Sequence, residues 1–509
     1  MIYTHDRPIT IGKVQLMKVK GYAHEIAFII SLLLTTCLIS KCEAEDPGVE
    51  AEAVAGEFLI SFKKGALNLT ALLEENQLEI VRRIDQIDVY LVKAKGDVRT
   101  LGGLEHLENR EGVNFIEPNY LVFSASQTLI PVSGAPEPTG AERVGAAMTP
   151  DDPYWASDGY TGFGQWNMRV IQADKAWDLT VGKKDITVAV VDSGIFKDHR
   201  DLRNNYIPGG YDWVNDDDDP SDDNGHGTWV AGIIGAEINN DYGVAGIAQV
   251  SLIAEKVLGS RATGSTSDLI SGIVHAADMG ADIINLSLGT DSYSSALEQA
   301  INYAHEKGCV LVAAAGNRGS RVPHYPAAFS NVIAVASTYG EPDDVRAPYS
   351  NYGTWITLSA PGGWDANQNG LPELGEFWVL STFNHPDEFA LGTGTSASTP
   401  HVSGLAALFK SVCPTATNEE IEEALKRTCD DKGSPGWDEM YGHGRINAYR
   451  LLSTSMVPSV GGRAEIILTE KSPQGVTFLG AIVVIQFALF ILFIKKRQSK
   501  YCLIKLIER

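Results

Sequence analysis

Ile186-Thr187-Val188-Ala189-Val190-Val191-Asp192-Ser193-Gly194 is an apolar, β-branched run that stops at a carboxylate and a glycine. A run without polar alternation reads as a strand covered on both faces, as in a parallel sheet. Its acid then falls at the carboxyl end of the strand, where open α/β sheets gather their binding and reacting groups. Working outward, Asn224-Gly225-His226-Gly227-Thr228 opens the helical run Trp229-Val230-Ala231-Gly232-Ile233-Ile234. The flanking glycines leave room for backbone and ligand around an imidazole. Further on, Gly392-Thr393-Gly394-Thr395-Ser396-Ala397-Ser398-Thr399-Pro400-His401-Val402-Ser403-Gly404 turns tightly into an apolar helix. Ser396 there presents a hydroxyl beside unpaired backbone N–H groups, so it can attack a carbonyl while its own N–H steadies the oxyanion. An N-capping serine has the same local signature. The acid and the imidazole upstream decide for chemistry.

Asp192, His226 and Ser396 follow the chain order of the subtilisin triad, not that of chymotrypsin or the α/β-hydrolases. From about 152 to 452 the chain resembles the subtilisin-like serine proteases, the calcium-binding thermitase type in particular. The resemblance implies Ser396 as nucleophile, His226 as base and then acid, Asp192 as its partner, and protein or peptide substrates. It also implies that Asn317, ending Ala313-Ala314-Ala315-Gly316-Asn317, donates to the oxyanion. Ser287, Leu288 and Gly289 match the strand that pairs with an extended substrate. The resemblance implies that, with Ala315 and Gly316, they wall the pocket for the residue before the scissile bond. His324, in His324-Tyr325-Pro326, stands where many relatives have glycine. A shorter slot with a polar end follows, favouring Tyr, Gln or Glu over Phe and Leu. Trp229, Ala397 and Ser398 replace the usual His, Met and Ala, and none is a triad position. A serine-carboxyl peptidase would carry Glu in place of His226, and a dead surface scaffold would lack a group needed for turnover. Neither describes this chain.

The fold expected is α/β: a doubly wound parallel sheet in a catalytic domain at 151–452. A small ferredoxin-like α+β propeptide domain at 56–125 precedes it. By the same resemblance that unit is an intramolecular inhibitor and a folding template for slow, non-local parallel pairing. Residues 126–150, rich in Pro, Gly, Ser and Ala, read as a processing linker. Residues 1–44 read as a signal peptide, with lysines ahead of an apolar run. Residues 453–475 form a polar stalk, 476–494 an apolar run long enough to span a bilayer, and 495–509 a tail opening with Lys495-Lys496-Arg497. The basic cluster puts the tail inside and the enzyme at the cell surface. A net charge of −23 excludes nucleic acid as a partner, since phosphates would repel the chain.

Calcium is the cofactor expected, in a structural role. Asp365, Asn367, Asn369, the Leu371 carbonyl and Glu376 fit the spacing of a calcium loop, with Gly370 at its turn. The aspartate run 216–219, with Asp222 and Asp223, lies just ahead of His226 and needs neutralising if it is ordered. The resemblance implies another site from Asp152, Asp201, Asn240 and the carbonyls of Ile238, Tyr242 and Val244. Cys309 opens a buried strand and reads as an inert thiol. Cys413 and Cys429 flank a helical unit, and an exported domain makes a disulfide between them plausible.

Overall fold

The computed structural model describes residues 52–63, 69–95, 104–126, 128–133, 148–156, 164–340, 344–367, 371–373 and 376–455. The expected signal, the apolar 476–494 run and its flanks, and Asn369 lie outside them. Among the described residues no helix is long and apolar enough to cross a membrane.

The N-terminal unit runs β1 (Ala53–Phe62), α1 (Leu69–Glu75), β2 (Leu78–Ile84), β3 (Val89–Ala94), α2 (Glu105–Glu108) and β4 (Val113–Ser124). Its strands stand in the order β4-β1-β3-β2, all antiparallel, the ferredoxin-like arrangement expected. Phe58 and Ile60 face α1 and α2, packing on Leu72, Leu73, Leu104 and Leu107. Leu59, one pleat away, joins Val89 and Leu91 on the opposite face, against the catalytic unit. The sheet thus has helices of its own on one side and borrowed helices on the other.

The catalytic unit is built on β6 (Thr187–Asp192), β7 (Tyr211–Asp212), β8 (Ser251–Lys256), β10 (Ile283–Leu286), β12 (Val310–Ala314), β13 (Ile333–Tyr339) and β15 (Leu358–Pro361). They pair in parallel in the order β7-β8-β6-β10-β12-β13-β15. The two-residue strand β14 (Val345–Arg346) adds to β13 antiparallel. Val188 and Val190 point to one hydrophobic core, Ala189 and Val191 to the other, which is why the run shows no alternation. Helices α3 (His226–Gly235) and α6 (Thr395–Val412) cover the first face, and α4 (Thr266–Asp278) and α5 (Ser295–Glu306) the second. The sheet order reverses at β6, so Asp192 ends the strand at the switch point.

Two short strands, β9 (Thr263–Ser265) and β11 (Leu288–Gly289), flank β4 on either side. A separate antiparallel sheet joins β16 (Val379–Thr382), β17 (Glu388–Thr393) and β5 (Thr128–Ser133). This departs from the linker reading of 126–150. Residues 128–133 are an ordered edge strand whose Val132 is buried among Tyr154, Tyr242 and Phe389. Pro131 is compatible because β5 pairs on one side only.

The disulfide expectation is corrected. Cys413 and Cys429 are both free thiols. Cys429 is turned into the core, where Sγ donates to the Leu425 carbonyl at 3.3 Å, and burial pushes its thiol up to about 12.

Candidate active site

The acid and the imidazole meet because β6 and α3 approach unusually closely. A Cβ on Gly227 would come within 2.1 Å of the Gly194 carbonyl and 3.2 Å of the Asp192 Cβ, so only glycine fits there. Asp192 Oδ1 accepts from His226 Nδ1 at 2.7 Å and from the Ser193 N–H at 2.7 Å. Both side chains are buried.

Asp222 and Asp223, at the end of the acidic run, are held by protein partners. Asp222 accepts from Ser193 Oγ, the N–H groups of Asn224, Gly225 and Thr228, and Thr228 Oγ1, at 2.6 to 2.9 Å. It thereby ties β6 to the first turn of α3 and presents His226. Asp223 pairs at 2.7 Å with the ammonium of the fully buried Lys256. Asp222 and Asp223 therefore need no cation to be ordered.

Ser396 enters at the start of α6, and its N–H donates to the carbonyl oxygen of Ala125 at 2.9 Å. Asn317 Nδ2 donates to that same oxygen at 2.6 Å. The amide is aimed by Thr395, whose N–H and Oγ1 both donate to Asn317 Oδ1, at 2.9 and 2.8 Å. A Cβ on Gly394 would lie 2.6 Å from the Ala125 oxygen, 3.0 Å from Ser126 Cα and 3.1 Å from Ser396 Oγ. The Ala125 oxygen, Ser126 and the Ser396 hydroxyl thus all border Gly394. Neither Ser396 Oγ nor His226 Nε2 makes a hydrogen bond here, and both are buried.

The chain reaches this point as an extended strand. Leu121, Val122 and Phe123 pair with Ser265, Gly264 and Thr263 on one side. Phe123 and Ser124 pair with Gly289 and Leu288 on the other, and the Ala125 N–H donates to the Ser287 carbonyl at 2.9 Å. Past Ser126 the strand resumes along β17, from Thr128 opposite Thr393 to Ser133 opposite Glu388. One continuous stretch thus crosses the site with main-chain pairing before and after it.

Two residues that the sequence reading did not single out dock the N-terminal unit. Glu117 caps α5, accepting from Ser294 Oγ at 2.5 Å and from the N–H groups of Ser295 and Ala296 at 2.9 and 3.1 Å. Asn119 Oδ1 accepts from the Ser267 N–H at the start of α4 at 2.9 Å. Their polarity within the strand Val113–Ser124 was the available signal. Beneath the serine, His401 Nδ1 donates to the Ala397 carbonyl at 2.7 Å and Nε2 accepts from Asn167 at 2.8 Å. Burial holds His401 down to about 4, hence neutral.

Of the expected calcium ligands, Asp152, Asp201, Asn240 and Val244 come together. Asp201 accepts from Asn240 Nδ2 at 2.7 Å and the Val244 N–H at 2.9 Å, while Asp152 Oδ2 accepts from the Asn239 N–H at 3.0 Å. Asp152 Oδ1 is buried with no partner. Burial pushes Asp152 up to about 7 and Asp201 well above the carboxylate range. Ile238 and Tyr242 share this loop. In the 365–376 loop, Glu376 is buried and accepts from Asn367, the Glu373 N–H and Trp378 Nε1, while Leu371 is exposed.

Residues 183–444 match the Subtilase family, and residues 42–119 match the fervidolysin N-terminal prodomain. The chain belongs to the subtilase family. This subtilase is 35% identical over 453 residues to the thermophilic serine proteinase of Bacillus sp. (strain AK1), covering 86% of this chain and all of that one. It is 40% identical over 305 residues to thermitase of Thermoactinomyces vulgaris, covering 60% of this chain and 99% of thermitase. Its fold is similar to that of fervidolysin from Fervidobacterium pennivorans, a keratinolytic enzyme related to subtilisin. The TM-score is 0.64 at 24% identity, over 81% of this chain and 62% of fervidolysin. The subtilase is accordingly a subtilisin-type serine endopeptidase carrying an N-terminal prodomain.

Proposed function

We propose that Asp192, His226 and Ser396 perform the hydrolysis, and that the first bond cut is the chain's own Ala125–Ser126. The observation that carries this reading is the Ala125 carbonyl, held jointly by the Ser396 N–H and Asn317 Nδ2 beside the Ser396 hydroxyl. His226 takes the serine proton as Oγ attacks, and negative charge grows on the oxygen that these two donors already grip. Asp192 holds the Nδ1–H tautomer and stabilises the imidazolium, which then protonates the leaving amine of Ser126. Water repeats the sequence on the acyl-enzyme. Other polypeptides bind as β4 does, as a strand between 263–265 and 287–289, once the prodomain, acting until then as inhibitor, has left.

Fluorophosphonate should label Ser396 in processed protein, and the processed catalytic chain should begin at Ser126. Ser396→Ala should keep the prodomain attached. A Ser396→Ala chain that still matures alone would overturn self-cleavage.

Calcium fits the first of the two loops as a structural ion. Two buried carboxylates, one with an unpartnered oxygen, would supply donors, and the Asn240 amide oxygen and the Ile238, Tyr242 and Val244 carbonyls would complete an all-oxygen set. Its positive charge would relieve the cost of burying Asp152 and Asp201 ionised. A second ion among Asp365, Asn367, Asn369, Leu371 and Glu376 must compete with the hydrogen bonds Glu376 already accepts. Export and anchoring through 476–494 rest on the sequence; protease added to intact cells should remove the 151–452 domain and spare the 495–509 tail.

A further inference from the structure

Two glycines come close to the strand around Ala125: Gly289 on β11, paired with Phe123, and Gly316, which directly precedes the Asn317 whose amide holds the Ala125 carbonyl. A Cβ on Gly289 would meet His324 Nε2 at 2.5 Å and Cδ2 at 2.8 Å. One on Gly316 would meet His324 Cγ at 2.9 Å and Cδ2 at 3.1 Å. The imidazole is therefore wedged between the two walls rather than standing at the far end of an open slot.

It is also fixed there. Nδ1 donates to Asp291 Oδ1 at 2.8 Å, and Asp291 is paired in turn with Arg318. The backbone beside it is clamped by reciprocal bonds between Thr290 and Tyr325, at 2.7 and 2.8 Å. Nε2 is buried and has no hydrogen-bond partner. The residue the chain itself supplies at this position is Ala125, whose side chain is a single methyl, and it is buried.

We propose that His324, positioned by Asp291, fills the slot for the residue preceding the scissile bond and restricts this subtilase to small residues there, Ala and Ser above all. The proposal rests on the reading of Ser396 as nucleophile and deepens it to a substrate class. A Leu or Phe side chain would have to expel the ring from between Gly289 and Gly316 and strip Asp291 of its imidazole partner. A serine hydroxyl, by contrast, can donate to the free Nε2, whose lone pair is available while Nδ1–H serves Asp291.

The test uses processed enzyme and quenched peptides copying Leu121–Ser133, with residue 125 as Ala, Ser, Leu or Phe. For the parent, kcat/KM for Ala and Ser should exceed that for Leu and Phe by roughly tenfold or more, the scale of discrimination by pocket size. His324→Gly should raise the Phe-to-Ala ratio by about the same factor. Asp291→Asn, which keeps the ring but loosens its anchor, should raise that ratio part-way, through KM more than kcat. A parent enzyme that cuts after Phe as readily as after Ala overturns the proposal whether or not the variants fold. So does His324→Gly with an unchanged ratio. Fluorophosphonate labelling separates the failures: a labelled enzyme with a flat profile sinks only the role of His324, and an unlabelled one sinks the protease reading too.

Discussion

The Asn317 amide has its direction fixed by Thr395, so its nitrogen is turned to the Ala125 oxygen, which would carry charge in the proposed reaction. Preorganisation of this kind makes a lost donor expensive. Asn317→Ala should lower kcat by about 100- to 1,000-fold with little change in KM, a magnitude that comes from the same enzyme family. A loss under tenfold would show that the Ser396 N–H suffices. His401 offers a different reading of a single residue. Its neutral ring, held down to about 4, takes no proton in the fold, whereas the unfolded chain does below about 6.5. Stability it contributes is therefore present above about 6.5, is lost as pH falls, and levels off near 4. The total is on the order of 3 kcal/mol for one such group. His401→Gln should flatten the acid limb of a denaturation series by one proton; an unchanged slope would exclude it as a source of acid lability.

Among elements, β4 does two tasks, closing the prodomain sheet and lying in the groove as a strand. Glu117 ties it down by accepting three bonds at the start of α5, where a negative charge also meets the helix dipole. Hydrogen bonds to a buried charge of this sort imply that Glu117→Ala weakens prodomain retention by about 10- to 100-fold. The release rate from nicked enzyme would measure it, and a rate equal to the parent's would mean that the main-chain ladder alone holds the unit. The elements were unequally legible in the sequence. β6 was plain because both its faces are covered, and His226 and Ser396 because glycines bracket them. β2 was not, because Ile80, Val81 and Arg82–Arg83 interrupt any simple alternation. β5 was hidden by Pro131 and by a partner, β17, more than 250 residues away. The Ala125 contact has no local signal at all, since it is made by a serine and an asparagine from two distant elements.

For the whole molecule, the two units share one hydrophobic core: Leu59, Val89 and Leu91 pack with Leu269, Ile273 and Leu297. Departure of the prodomain uncovers that apolar surface, so the mature catalytic unit needs another source of stability. Calcium held as proposed by the Asp152 and Asp201 loop would bind only the folded chain and stabilise it by mass action. Chelation should lower the melting temperature, and Asp201→Asn should abolish most of that response. Asp365→Ala with Glu376→Ala then tests the second loop, where an unaltered response would mean that it closes by hydrogen bonds alone.

The strand β5 carries one more consequence. On the proposed reading, cutting Ala125–Ser126 would not by itself part the two new ends, because β4 is paired with β9 and β11 and residues 128–133 are laddered to β17. An amine and an acyl group held together at the serine have a high effective concentration, so the reverse reaction competes with water. The nick and the sealed bond would therefore interconvert until one flank peels away. Activation would then be timed by the lifetime of a ladder of hydrogen bonds, and chemistry at Ser396 would set only how soon the two states come to balance.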